Sequence, residues 1–120
     1  MAKVENVKHL LVVGTYCTDP NREEEFNNWY NGVHIPDMMS LCGKEISKIW
    51  RYKNMSTKPT REWATEVPQY LAIYELNADD PRGVWIRILA ENDKWQKEGR
   101  VVDCLGAQSW GEVFELIAEF

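Results

Sequence analysis

The 120-residue chain predicts an α+β fold of order β-α-β-β-α-β, with four strands in one antiparallel sheet and two helices on one of its faces. Apolar and β-branched runs with a period of two stand at residues 8–16, 45–53 and 69–77, and a less clean run stands at 108–119. Between them, two stretches carry apolar residues at helical spacing, and each opens on the same pair, Asp19-Pro20 and Asp80-Pro81. The halves read as a weak internal duplication of a split βαβ unit, and right-handed crossovers put both helices on one side. Because the strands are apolar on both faces, the side away from the helices needs a cover. A second copy is the simplest one, so a homodimer with sheets packed face to face is expected.

In residues 8–16, KHLLVVGTY, His9, Leu11, Val13 and Thr15 share one face and Leu10, Val12, Gly14 and Tyr16 the other. Asp19 is placed to cap a helix and Pro20 to start it, and Glu23, Glu24 and Glu25 sit where the helix dipole favours negative charge. Phe26, Trp29, Tyr30 and Val33 follow at i, i+3, i+4 and i+7, one stripe of a helix. Pro36 disfavours helical geometry at Ile35, so the helix is expected to stop or bend at His34, with a short irregular or helical stretch through Met39. Gly43 closes that region.

Residues 45–53, EISKIWRYK, set Ile46, Lys48, Trp50 and Tyr52 against Ser47, Ile49, Arg51 and Lys53, the first face being markedly aromatic. Residues 54–68 are polar, contain Pro59 and Pro68, and read as a long loop that acts as a lid or a dimer arm. Residues 69–77 alternate Tyr70, Ala72, Tyr74 and Leu76 with Leu71, Ile73 and Glu75. Val84, Trp85, Ile88, Leu89 and Trp95 stripe the second helix down to Gly99, its expected C′ residue. The last strand is expected over residues 108–119, with a bulge near Gly111.

Hydrophobic residues make up 44% and charged residues 28%, which argues against a disordered chain, and the longest apolar runs, such as residues 10–13, fall far short of a bilayer span. Residues 1–8 are polar and lack the apolar stretch of a signal peptide, so a cytoplasmic location is expected. A net charge of -5 and scattered Lys and Arg work against nucleic acid as a partner. Cys17, Cys42 and Cys104 are odd in number, widely spaced and without C-x-x-C, and read as reduced structural residues. Six Trp, five Tyr and three Phe in so short a chain imply a large interface or an aromatic-lined cavity.

Candidate chemistry gathers in residues 23–38, EEEFNNWYNGVHIPDM. As a capping group, His34 satisfies carbonyls at a helix end and its aromatic neighbours are plain core. As a pocket residue it handles protons, because an imidazole titrates near working pH. Asp37 either orients His34 through a charge-assisted hydrogen bond or caps the next turn, with Tyr30 close by. His9 is open between pocket base and satisfied sheet histidine. Tyr16, Tyr30, Tyr52 and Tyr74 offer hydroxyls to a carbonyl or phenol. Phe26, Trp29, Trp50, Tyr52, Tyr74 and Trp85 either shape an apolar cavity or fill it. A metal site is not expected, since His34-x-x-Asp37 supplies two ligands at most. Neither G-x-S-x-G nor a Gly-rich phosphate loop is present.

Glu24-Glu25-Phe26, Trp29-Tyr30, His34, Pro36, Gly43 and Arg51-Tyr52 together resemble the pattern of the EthD-like group, proteins related to ethyl tert-butyl ether degradation within the dimeric α+β barrel superfamily. The resemblance spans roughly the first half of the chain; the second half matches in element order. It implies a ferredoxin-like sheet pairing into a dimeric α+β barrel, and it places His34 beside a pocket. Locally, Val7-Lys8-His9-Leu10 is similar to the first strand of olivetolic acid cyclase, a plant polyketide cyclase of the same superfamily, which adds His9 as a site candidate. That enzyme's later catalytic Tyr and His have no counterpart at residues 77–80, so its mechanism does not carry over.

The resulting expectation is a cofactor-independent acid–base enzyme for a small hydrophobic substrate, aromatic or polyketide-like. Its reaction is cyclisation, isomerisation or C–C or C–O lysis. His34 serves as general acid or base, Asp37 supports it, and a tyrosine hydroxyl steadies an enolate or phenolate. A cofactor-free monooxygenase of a phenol and a non-catalytic binder of a hydrophobic metabolite are the alternatives.

Overall fold

The computed structural model describes residues 8–56 and 67–120. Four strands, β1 (His9–Thr15), β2 (Ile46–Lys53), β3 (Tyr70–Leu76) and β4 (Trp110–Glu115), form one antiparallel sheet in the order β2-β3-β1-β4. The two most apolar strands, β1 and β3, take the centre and pair in unbroken register from His9–Leu76 to Thr15–Tyr70. Alternation in β3 is complete: Tyr70, Ala72, Tyr74 and Leu76 are buried under the helices, and the residues between them are partly exposed. The predicted loop at 54–68 falls mainly outside the described residues.

Asp19 accepts from the Asn21 amide and caps a short 3₁₀ turn, Pro20–Arg22, which runs into α1 (Glu23–Trp29) with three glutamates in its first turn. Of the stop or bend expected at His34, the stop does not occur, and the helical stretch beyond it runs past Met39 to Cys42. The chain instead passes through a π-helical turn, Tyr30–His34, and continues as α2 (Ile35–Cys42). The Ile35 amide bonds the Tyr30 carbonyl, five residues back. Pro36 then stands in the first turn of a renewed α-helix, where a missing N–H is tolerated. One widened turn thus absorbs the proline and aims Tyr30 and His34 at the sheet.

In β2 the expected faces are corrected by a register shift between Ile46 and Lys48. The shift puts Ile46 on the helix side with Ile49 and Arg51, while Lys48, Trp50 and Tyr52 stay on the other face. Helix α3 (Pro81–Lys97) opens as predicted, Asp80 accepting from the Gly83 amide at 3.0 Å, and Val84, Ile88 and Trp95 are buried. Gly99 follows it at φ +73, the left-handed geometry that closes a helix and that glycine adopts freely. Strand β4 is shorter than predicted, and no bulge forms at Gly111, which pairs in register with Val13. The glycine serves packing instead: a Cβ there would meet the Trp85 ring at 2.5 Å, so the indole packs closely against the backbone of β4.

The core between sheet and helices centres on Leu11, Phe26, Tyr30, Met38, Tyr74 and Val84. Each buried side chain of this size stabilises the fold by about 1.5–3 kcal/mol relative to exposure. On the opposite face, Trp50, Tyr52, Trp110 and Phe114 are 36%, 53%, 39% and 51% exposed. No helix among the described residues is long and apolar enough to cross a membrane.

Candidate functional site

The π turn, α3 and the strand ends frame a half-open cavity of about 580 Å³. Trp29, Tyr30 and His34 line one wall, Trp85, Ile88 and Asn92 another, and Val13 and Gly111 of the sheet form the floor. His34 is held among aromatic rings: stacked on Trp29 at 5.0 Å, edge-on to Tyr30 at 4.8 Å and edge-on to Trp95 at 6.0 Å. Its ring nitrogens make no hydrogen bond within the described residues, so the expected carbonyl cap is not what holds it. Burial drives its pKa down to about 4; Asp37 opposes this and Arg51 adds to it. The imidazole is therefore neutral at physiological pH, with a lone pair available to accept a proton.

Beneath it, the Tyr30 and Tyr74 hydroxyls share a hydrogen bond of 2.5 Å. Burial raises both phenols, Tyr30 to about 12 and Tyr74 well above the ordinary range, so both are protonated donors at neutral pH. The Arg51 guanidinium lies 4.2 Å from the centre of the Tyr30 ring and 5.4 Å from that of Tyr70.

Trp29, Tyr30, His34 and Trp85 of the sequence candidates meet at this cavity, and Phe26 and Tyr74 pack in the core behind them. Asp37 does not hydrogen-bond His34: its carboxylate takes a bidentate pair from Arg100 at 2.7 and 2.8 Å, so it reaches the imidazole only through its field. His9 is at the far end of β1 from the pocket, roughly 20 Å along the strand from Thr15, and its Nε2 is 3.5 Å from Glu115. Trp50 and Tyr52 lie on the open face because the bulge in β2 leaves them there. Among the described residues, no group of three or more His, Cys, Asp or Glu is placed to hold a metal ion.

No protein-family model and no curated protein sequence matches the chain. Among solved structures, an EthD-like protein from Ralstonia eutropha JMP134 superposes with a TM-score of 0.58 at 10% identity, covering 95% of each chain. A dimeric ferredoxin-like protein from an uncultured marine organism gives 0.58 at 12% identity over 98% of this chain and 95% of that one. The chain has the ferredoxin-like α+β fold. A third structure, from Bordetella bronchiseptica and provisionally described as an antibiotic biosynthesis monooxygenase, gives 0.53 at 15% identity over 92% and 98%. The resemblance read from the first half of the sequence is thus met at the level of the fold, which hosts many chemistries.

Within this fold, several pocket residues escaped sequence reasoning. Asn92 and Gln96 line the cavity from α3. Their signal was two amides, four residues apart, beside the stripe of Trp85, Ile88 and Trp95. Ser109, whose buried hydroxyl has no partner among the described residues, and Thr15 gave no signal, because a loop and a strand end are brought together only by the fold. Arg51, which packs behind Tyr30 and does not line the cavity, was hidden by the register shift that turns it inward.

Proposed function

We propose that the chain works as a homodimer whose pocket takes a small hydrophobic substrate, aromatic or polyketide-like, and that His34 performs acid–base chemistry on it without a cofactor. The observation carrying this reading is a neutral imidazole, free of hydrogen bonds within the described residues, in the wall of a tryptophan-lined cavity of about 580 Å³. A substrate ring lies against Trp29 and Trp85, and His34 takes a proton from an acidified C–H or phenol O–H. A Tyr74-to-Tyr30 hydrogen bond leaves the Tyr30 proton for the enolate or phenolate oxygen that develops. Cyclisation, isomerisation and lysis all begin with such a transfer. The dimer follows from the aromatic open face and from a structural neighbour described as dimeric.

Incubation with hydroxylated aryl ketones and aryl β-diketones, read by mass spectrometry, tests the reading. Wild-type protein is expected to convert a member of the panel and His34→Gln to lose about 100-fold or more of that rate; equal turnover by the variant removes the mechanism. A second reading, a cofactor-free monooxygenase of a phenol, draws on the Bordetella neighbour. Oxygen consumption with a phenolic member of the panel separates it from the first, and saturable binding without turnover marks a metabolite-binding protein.

A further inference from the structure

Arg51 is an unusual group to find on the helix side of the sheet. Its Nη1 donates to Asn31 Oδ1 at 3.0 Å, but its buried Nε and Nη2 have no acceptor among the described residues, and no carboxylate pairs with it there. Leaving such donors unpaired destabilises a fold. The guanidinium instead sits over tyrosine: 4.2 Å from the centre of the Tyr30 ring, which also lies 4.8 Å from the His34 ring and whose hydroxyl bonds Tyr74 at 2.5 Å. Arg51 and the His34 ring are therefore no more than about 9 Å apart through Tyr30.

We propose that Arg51 is a positioning residue of the site: its fixed positive charge, held behind Tyr30 with the His34 ring on the far side, prepares the Tyr30–Tyr74 pair to meet negative charge on a substrate oxygen. The inference rests on the acid–base reading of His34. The charged and titratable groups around it are few. Tyr30 and Tyr74 lie between Arg51 and the pocket, and Tyr70 lies beside it, bonded to Glu23, which also pairs with Lys53. Asp37, held by Arg100, opposes Arg51 from the α2 side, and Glu112 lines the cavity from β4. Arg51 is the cation that acts on the imidazole, and in the same direction as burial. It also favours the anionic form of both buried phenols.

The test needs no substrate. Imidazole titrations by long-range proton–nitrogen NMR are run on wild-type, Arg51→Lys, Arg51→Met and Arg51→Gln, with His9 as internal reference. Loss of the charge is expected to raise the His34 midpoint by about one pH unit, the size of a unit charge acting over such a distance in a partly buried site. Arg51→Lys should keep the wild-type His34 midpoint to within about 0.3 unit. An unchanged His34 midpoint in the neutral variants overturns the proposal. So does unfolding of both neutral variants while Arg51→Lys folds, which would assign Arg51 to stability alone. A wild-type His34 that titrates at the ordinary histidine value is a different failure, that of the acid–base reading beneath.

Discussion

Burial of His34 ties the stability of the protein to pH, and the effect is large enough to measure. The folded-state pKa is about 4, whereas an unfolded histidine titrates near about 6.5. The unfolded chain therefore binds a proton that the native chain refuses, and stability rises with pH across that window. The contribution is fully present above the unfolded value and is lost as pH falls toward 4. The gap corresponds to about 3 kcal/mol in full, of which about 2 to 3 kcal/mol is lost between roughly pH 7.5 and pH 4.5. Guanidinium denaturation of wild-type and His34→Gln at matched protein concentration isolates this effect, because glutamine does not titrate. Other acid-sensitive groups, such as Glu23 and Glu25, are common to both proteins. The variant is expected to be about 1 to 2 kcal/mol weaker at neutral pH, through loss of the ring contacts with Trp29, Tyr30 and Trp95. It should then lose less stability on acidification, so that the two curves converge or cross. Parallel curves from neutral to acid pH would refute the burial argument.

Three further outcomes follow from particular residues. Asp37→Asn removes the carboxylate that pulls the His34 pKa upward, so the midpoint should fall further; stability should change by less than about 1 kcal/mol, since the Arg100 partner is 47% exposed. Gly111→Ala places a Cβ 2.5 Å from Trp85 and is expected to lower stability by about 1–3 kcal/mol with a changed tryptophan fluorescence; an unaltered melt and spectrum would contradict the close packing. Trp50→Glu with Phe114→Glu puts charge on the open face and should convert a dimer to a monomer in sedimentation velocity, a result that fails if the wild-type protein is itself monomeric.

Sequence periodicity carried the element order, both Asp-Pro helix starts and the faces of β1 and β3, because these depend on local propensity and on a pattern with little ambiguity. What it misjudged needed one residue of local backbone detail. The π turn at Tyr30–His34 and the shift in β2 each alter where following side chains point, and neither has a signature beyond a proline or a short apolar run. Composition left open a large interface or an aromatic-lined cavity, and the stripe of Phe26, Trp29 and Tyr30 supplies one wall of the cavity the structure shows. Asp37 looked like a partner for His34 by spacing, but the Arg100 that takes its carboxylate lies 63 residues away in the chain and was beyond any local rule. The far side of the pocket, with Asn92, Gln96 and Ser109, is likewise assembled only by the packing of α3 and the loop before β4 against the sheet.

The central claim is that small aromatic molecules enter the cavity beside His34 and do not simply adhere to the open aromatic face. Titration of the isotope-labelled protein with a hydroxyaryl ketone, following the imidazole signals and the indole N–H signals together, tests this most directly. The account predicts saturable shifts at His34, Trp29 and Trp85, with His9 and Trp50 unmoved. Shifts confined to Trp50, with His34, Trp29 and Trp85 silent, would contradict it and assign the aromatic richness of the chain to its sheet surface.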